Sequence, residues 1–248
     1  MRVMSESLRE VPASRSHAKA LAATIVIPLH NEEGLLSTLV TRLVDEFGRF
    51  RIESEFLLCE NGSRDRTQEI ARALSLKHDN VRVVTLAKAS YGAAVREGIL
   101  RAAADHVIIF NADLWSCAFF SESFRMLKSG CDMVIGSKRL VPANDRRPAI
   151  RRFITFGFNV FLKAVFGLRA SDTHGMKALR RSSLLPIIEK CRTQNEVFDT
   201  EVVLRAQRAG LRIEELPVVV HDLRPARLAL LRRVPSTFRD LITIAHTL

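Results

Sequence analysis

The sequence of 248 residues is poor in aromatic side chains: Phe, Trp and Tyr make up 6%, with one Trp and one Tyr. Proteins that bind single-stranded nucleic acid stack bases on such rings, so this chain is poorly equipped for that role. Its formal net charge is nevertheless +11. A charge excess of this size favours an anionic partner. Phosphorylated substrates and anionic membrane surfaces therefore remain as candidate partners, and nucleic acid is disfavoured.

Long apolar runs are also absent. No stretch reaches the roughly 18 apolar residues of a membrane-spanning helix, and residues 153–168, the closest, are interrupted by Lys163. Residues 1–20 lack the apolar core of a signal peptide, and we expect them to form a flexible N-terminal tail. The four cysteines form no CxxC pair. This argues against a zinc site or a disulfide framework and indicates reduced thiols in a cytoplasmic protein.

Two glycine-rich nucleotide-binding signatures are missing as well. Neither GxGxxG after the first strand nor GxxxxGK followed by Ser or Thr occurs, which disfavours a dinucleotide-binding fold and a P-loop. What the chain does contain is a β–α rhythm with short connections. This rhythm predicts an α/β fold with a doubly wound, mostly parallel sheet. The predicted strands are 23–28, 55–59, 81–85, 106–110, 132–136 and 212–220, and the predicted helices are 31–48, 67–76, 92–104, 119–129, 153–166, 182–191 and 198–209.

The fourth predicted strand ends abruptly in Asn111-Ala112-Asp113. In open α/β sheets, ligands bind beyond the carboxyl ends of the strands. A carboxylate there can hold a divalent cation, and the cation can hold a diphosphate. The alternative is a strand-end Asx turn without chemistry.

The chain changes character after residue 136. Residues 139–169 carry seven basic residues against one acid, and the helix predicted at 153–166 holds five of the fourteen phenylalanines. Residues 224–239 hold five arginines and no acid. A Phe-rich helix with basic flanks and a basic amphipathic end can lie at an anionic membrane interface. Ordinary packing on the sheet and a solvated basic helix are the alternatives.

The order of the motifs resembles the inverting family 2 glycosyltransferases of the GT-A (nucleotide-diphospho-sugar transferase) fold. The blocks are residues 25–33 (IVIPLHNEE), 60–67 (ENGSRDRT), 92–98 (GAAVREG) and 111–114 (NADL). Three later blocks resemble the dolichol-phosphate or polyprenyl-phosphate mannosyltransferase branch: 136–139 (GSKR), 170–175 (ASDTHG) and 197–202 (VFDTEV). The resemblance covers about residues 23–245.

The resemblance implies a site for a GDP- or UDP-sugar carrying mannose or a glucose-like sugar. The loop at Asn111 and Asp113 is expected to bind Mg²⁺ or Mn²⁺ on the diphosphate, where the metal neutralises the leaving group. The residues implied in donor binding are Pro28, His30, Asn31, Glu32, Glu60, Asn61, Ser63, Asp65, Lys88, Gly92, Arg96, Asn111, Ala112 and Asp113.

The branch implies a polyprenyl-phosphate acceptor. Because its phosphate oxygen is already anionic near neutral pH, it needs cations rather than a strong base. The residues implied in holding the phosphate are Lys138, Arg139, Arg151, Arg152 and Asp172. Those implied in catalysis are Asp113, Lys138, Arg139, Arg152 and Glu201.

Five positions depart from the family pattern. Asn61 and Asn111 replace carboxylates, Trp115 replaces a small or polar residue, Lys138 replaces an Arg, and Phe156 replaces a second Arg. Arg151 and Arg152, about one turn upstream of Phe156, can take over its role. These departures bear on donor identity and on metal dependence.

Two other functions stay open. A family 2 transferase with a hydroxyl acceptor needs a base, for which Asp199 or Glu201 is the candidate, although both can serve only as helix N-terminal acids. A weakly active or inactive sugar-nucleotide-binding subunit is the second alternative, motivated by Asn61 and Asn111.

The expected organisation is a tail at 1–20, a GT-A domain at 21–222 and a basic, amphipathic, membrane-proximal segment at 223–248. The expected location is the cytoplasm, peripheral to the cytoplasmic face of a membrane. A separate membrane-anchoring subunit is compatible with the sequence.

Overall fold

The structure is a computed structural model that describes residues 21–141, 149–219 and 229–248. The predicted tail at 1–20 and the predicted domain boundary at 222/223 lie outside these residues. The strands are β1 (Ala23–Leu29), β2 (Ser54–Asn61), β3 (Val81–Leu86), β4 (His106–Ile109), β5 (Met133–Ser137), β6 (Lys177–Arg180) and β7 (Ile213–Pro217). The helices are α1 (Leu36–Gly48), α2 (Thr67–Lys77), α3 (Tyr91–Arg101), α4 (Cys117–Lys128), α5 (Ala149–Phe166), α6 (Arg181–Lys190), α7 (Phe198–Arg208) and α8 (Ala229–Thr247).

The strands form one seven-stranded sheet in the order β3-β2-β1-β4-β6-β5-β7. All neighbouring pairs are parallel except those of β6, which lies antiparallel between β4 and β5. The predicted doubly wound, mostly parallel α/β sheet is therefore confirmed. The carboxyl ends of β1, β2, β4 and β5 point to one edge of the sheet, so the loops that follow these strands lie along that edge.

Helices cover both faces of the sheet, because alternate strand residues point to opposite sides. Val26, Leu57 and Ile109 join the core beneath α3 and α5–α8, whereas Ile25 and Phe56 join the core beneath α1, α2 and α4. The C-terminal half of α8 docks on the first core through Leu241 and Ile244. None of the helices in the described part of the chain combines the length and apolar character needed to cross a membrane.

One strand was not predicted, and one helix start was wrong. No element was predicted for the residues of β6, which has only four residues and begins and ends with basic side chains. Helix α1 was expected to begin at Asn31 but begins at Leu36. Asn31 has a φ of +56°, a left-handed conformation that cannot continue into a helix, and its polar groups bond to the loop after β2.

Gly98 allows α3 to lie directly on β1. A Cβ at this position would overlap Val26 Cγ1 and lie 3.0 Å from Cys59 Sγ, both inside the core. The α3–β1 approach holds the loop before α3 near the carboxyl edge of the sheet.

We expect Gly98→Ala to lower the free energy of unfolding by about 1–3 kcal/mol, because the added methyl group overpacks the core. Denaturant unfolding measures this change. Gly48→Ala is the control, since a Cβ at that helical position meets nothing within 4 Å. Equal stability of the two variants would mean that α3 can move off β1 without cost.

Candidate active site

The first two loops at the carboxyl edge are joined by hydrogen bonds. The Asn31 backbone N–H donates to Ser63 Oγ at 3.0 Å, and Asn31 Oδ1 accepts from the Arg64 backbone N–H at 2.8 Å. His30 Nδ1 lies 2.9 Å from the Asn61 carbonyl oxygen. The structure therefore brings together the residues predicted to hold the nucleoside.

Asp65 stabilises the same pair of loops from within. Its carboxylate accepts from Thr67 Oγ1 at 2.6 Å, and Thr67 Oγ1 in turn accepts from the Glu32 backbone N–H at 2.7 Å. Slight burial of Asp65 acts to raise its pKa, but hydrogen bonds from Thr67 and Glu33 outweigh it, so the pKa lies below its usual value. Asp65 is thus an ionised loop anchor.

The Asn61 side chain connects three segments. Its Nδ2 donates to the Leu29 carbonyl oxygen at 2.8 Å, and its Oδ1 accepts from the Ser90 backbone N–H at 3.0 Å. A carboxylate at this position could not donate to Leu29. The amide, read from the sequence as a departure in base recognition, therefore has a structural role. Glu60 beside it is buried and accepts from the Ser63 backbone N–H at 2.6 Å.

The N-terminus of α3 is covered by the loop before α7. The Gln194 carbonyl oxygen accepts from the Ala93 backbone N–H at 3.1 Å and from Ser90 Oγ. A Cβ at Gly92 would lie 2.6 Å from that same carbonyl oxygen. Gly92, predicted to bind the donor, is required here for this close packing. Of the other predicted donor residues, Lys88 is exposed in the preceding loop and Arg96 is half-buried on α3.

The segment after β4 is a tight turn. Asn111 and Leu114 form an isolated antiparallel bridge, with N–H to carbonyl distances of 3.1 and 3.0 Å. Ala112 and Asp113 occupy the tip of the turn. Among the described residues, no three or more His, Cys, Asp or Glu side chains are grouped in a way that could hold a metal alone.

The donor set at this turn, one carboxylate and one amide oxygen, suits Mg²⁺ or Mn²⁺ when the remaining ligands are diphosphate and water oxygens. The residues present therefore fit a cation that arrives with its nucleotide. They do not fit an all-protein metal cage.

Lys138 and Asp172 form a buried ion pair. Lys138 Nζ lies 2.8 Å from Asp172 Oδ2, and the Asp172 side chain has no exposed surface. Burial acts to raise the pKa of Asp172, but the Lys138 ammonium outweighs it and holds the pKa below its usual value. Because the charge of Lys138 is already compensated, the predicted direct role of Lys138 on an acceptor phosphate is not supported.

Arg139 lies against α5. Its guanidinium Nη1 is 3.4 Å from the Thr155 carbonyl oxygen, and its Cζ stands 5.4 Å from the centre of the Phe156 ring. Arg152, one turn before Phe156, is exposed. The side chain of Arg151 lies outside the described part of the structure.

Glu201 does not have the geometry of a catalytic base. Its carboxylate has no exposed surface and accepts from Thr193 Oγ1 at 2.7 Å, from the Thr193 backbone N–H at 2.8 Å and from Arg205 Nε at 2.8 Å. With its lone pairs occupied, Glu201 closes the loop before α7. These contacts favour a structural role of Glu201 over the predicted catalytic one.

Asp199 belongs to a buried group that the sequence did not reveal. Its Oδ2 lies 2.7 Å from Lys177 Nζ and accepts from the Tyr91 hydroxyl at 3.2 Å. Burial and the Asp199 charge raise the pKa of Tyr91 well above its usual value. The available signal was Lys177 between the apolar residues Met176 and Ala178, since a buried ammonium requires a carboxylate partner.

A mostly parallel sheet of this kind, with its loops gathered at one carboxyl edge, has the GT-A fold. Glucosyl-3-phosphoglycerate synthase from Mycobacterium tuberculosis, solved with Mn²⁺, UDP and phosphoglyceric acid, has this fold: the TM-score is 0.63 at 18% identity, covering 90% of this chain and 78% of that one. The profile of Glycosyl transferase family 2 matches residues 24–186, and the chain belongs to this family. The protein is accordingly a glycosyltransferase.

Two curated relatives extend beyond that match. A dolichyl-phosphate beta-glucosyltransferase from Saccharomyces cerevisiae is 25% identical over 96% of this chain and 79% of its own length. A dolichyl-phosphate beta-glucosyltransferase from Trichomonas vaginalis is 26% identical over 90% of this chain and 72% of its own length. The family predicted from the motif order is confirmed.

If Asn61 serves to join the loops, Asn61→Asp should lower the free energy of unfolding by about 1–3 kcal/mol, because the Leu29 carbonyl oxygen loses its buried donor. The variant should not gain affinity for UDP or GDP in calorimetry. Asn80→Asp is the control, since the Asn80 amide makes one long bond of 3.4 Å to the Ser54 carbonyl oxygen. Tighter nucleotide binding by Asn61→Asp at unchanged stability would restore a role in base recognition.

Proposed function

We propose that this protein transfers glucose from UDP-glucose to a polyprenyl phosphate at a membrane surface, with inversion at the sugar carbon. The structural observation that carries the proposal is the position of Arg139, a cation at the border of an exposed apolar face. A phosphate attached to a hydrocarbon chain needs this combination. The names of the yeast and Trichomonas relatives, which pair dolichyl phosphate with a beta-linked glucose, support it.

The apolar face lies on α5. Phe153, Phe156, Val160 and Val165 are 72%, 54%, 49% and 55% exposed, whereas the opposite side of the helix is buried in the core. Phe153, Phe156 and Val160 are spaced at helical intervals and share one side of the helix, so the face is continuous there, and an exposed apolar face of this kind marks a binding surface. We assign it to the isoprenoid chain and to the membrane that contains the chain.

The donor side is assigned to the joined loops after β1 and β2 and to the turn after β4. Asn111 and Asp113 are the residues that would hold a Mg²⁺ or Mn²⁺ ion. When bound, the ion would neutralise the charge of the leaving diphosphate. UDP with Mn²⁺, as in the M. tuberculosis structure of the same fold, supports a uridine donor over a guanosine donor.

The type of acceptor can be inferred from the two candidate bases, Glu201 and Asp199. A hydroxyl acceptor requires a base, but Glu201 is saturated by donors and Asp199 is paired with Lys177. A phosphate oxygen is already anionic near neutral pH and attacks without proton removal. The geometry therefore favours the phosphate acceptor over the hydroxyl alternative.

Among the described side chains, Arg139 and Arg152 are the predicted cations that we assign to the acceptor phosphate. Arg139 contacts Phe156, and Arg152 lies one helical turn before it, so both border the apolar face. Guanidinium groups bind phosphate oxygens with paired, charge-assisted hydrogen bonds. Lys138 is paired with the buried carboxylate of Asp172 instead.

The direct test is a transfer assay with the full chain in detergent, using UDP-glucose or GDP-mannose as donor and a polyprenyl phosphate as acceptor. We expect transfer from UDP-glucose in Mn²⁺, and Asp113→Ala should abolish it because Asn111 alone cannot hold the ion. Transfer to a soluble saccharide but not to the lipid phosphate would refute the proposed acceptor. Full turnover by Asp113→Ala would refute the assigned cation site.

Removing one cation of the acceptor site should affect the KM for the acceptor and leave the KM for the donor unchanged. Arg152→Ala should raise the KM for polyprenyl phosphate about tenfold, the effect of losing a charge-assisted hydrogen bond, and leave the KM for UDP-glucose unchanged. Lys163→Ala is the matched control, since Lys163 is an exposed cation three turns further along α5. If both variants raise the acceptor KM alike, the effect is one of general charge and Arg152 has no specific role.

A further inference from the structure

Three side chains link the edge strand β7 to Arg139. Ser171 Oγ donates to Glu215 Oε1 at 2.7 Å, Ser171 Oγ lies 2.6 Å from Ser137 Oγ, and Ser137 Oγ accepts from the Arg139 backbone N–H at 3.1 Å. Ser137 is fully buried. The sequence resemblance assigns no role to Glu215, Ser171 or Ser137.

The carboxylate gives this chain of bonds one direction. Because Glu215 can only accept, the Ser171 hydroxyl must donate to it, and the Ser171 lone pair then accepts from the Ser137 hydroxyl. The Arg139 backbone N–H donates to Ser137 at the other end. Every donor in the series is therefore directed towards Glu215.

Glu215 also holds the backbone of the loop after α5. The Ser171 backbone N–H lies 3.0 Å from each of the two Glu215 carboxylate oxygens. An amide in place of this carboxylate would set an N–H₂ group against that N–H. The adjoining Asp172, which is the buried partner of Lys138, would lose its fixed position with it.

The end of β5 has no freedom to compensate. Gly136 donates to the Met176 carbonyl oxygen at 2.9 Å on one side, and the Ser137 carbonyl oxygen accepts from the Val218 backbone N–H at 3.1 Å on the other. The chain leaves the sheet at Ser137, so the bond from Arg139 to Ser137 sets the direction in which Arg139 departs.

We propose that Glu215, acting through Ser171 and Ser137, is a positioning residue that aims Arg139 at the acceptor phosphate. The inference rests on the proposed function, because it takes Arg139 as an acceptor-binding cation. Glu215 itself contacts no substrate. Its effect is confined to the acceptor side, since the donor loops lie across β6, on the other half of the sheet.

Steady-state kinetics of the full chain in detergent test this proposal. Glu215→Gln should raise the KM for polyprenyl phosphate about tenfold, with kcat and the KM for UDP-glucose nearly unchanged. Glu214→Gln is the matched control on the same strand, because Glu214 lies on the other side of β7, where its carboxylate pairs with Arg212 at 3.3 Å. A purely structural role would lower kcat and raise both KM values together, and that outcome would overturn the proposal.

Variants of Ser171 test whether the series of hydrogen bonds from Arg139 through Ser137 and Ser171 to Glu215, here called the hydroxyl relay, acts on the acceptor KM without loss of the fold. Ser171→Ala should raise the acceptor KM in the same sense, and Ser171→Thr, which keeps the hydroxyl, should restore it. Ser171→Ala added to Glu215→Gln should have little further effect, because both interrupt one series of bonds. Failure of Thr to restore the KM, or fully additive effects, would overturn the proposal.

Hydrogen exchange of the Arg139 backbone amide tests the role of Glu215 independently of the proposed function. The Arg139 amide should exchange faster in Glu215→Gln and Ser171→Ala than in wild type or Glu214→Gln, whatever the acceptor. If wild type transfers no sugar to polyprenyl phosphate, the proposed function fails, and unchanged Arg139 exchange would overturn the relay separately. Binding of geranyl phosphate, measured by calorimetry, should weaken in parallel with the faster exchange.

Discussion

The buried ion pair between Lys177 and Asp199 is the constraint on which the two halves of this site depend. It ties β6, the one antiparallel strand, to α7, and Tyr91 adds the start of α3 to the same carboxylate oxygen. Removing either partner of a buried pair costs about 3–5 kcal/mol, because the other charge is left without compensation. This almost completely buried ion pair therefore fixes the donor loops relative to the acceptor loop.

Strand β6 also separates the strands assigned to the donor from the strands assigned to the acceptor. On one side, the loops after β1, β2 and β3 bond to one another, and together with the turn after β4 they are assigned to the nucleotide donor. On the other side, β5 and β7 carry the cations and the hydroxyl relay assigned to the acceptor. The loops on each side of β6 are joined by their own hydrogen bonds, so we expect both sets to be ordered before a ligand binds.

Much of this arrangement could be predicted from sequence, since buried parallel strands are apolar runs and each ends in a polar loop. The predictions failed where partners distant in sequence decide the outcome. Asn31 leaves the helix because of Ser63 and Arg64, and Asn61 is structural because of Leu29 and Ser90. Local pattern cannot show such contacts, which is also why Glu201 resembled a base until its donors were seen.

Helix α5 is apolar on its inner side, where it packs in the core, and on its outer side, where water meets Phe153 and Phe156. A hydrocarbon chain laid on the outer side removes that surface from water without altering any contact in the core. A ligand that binds the folded state alone shifts the folding equilibrium by mass action. On the proposed assignment of this face, the lipid acceptor would also stabilise the enzyme, and the fraction of folded protein would rise with the lipid supply.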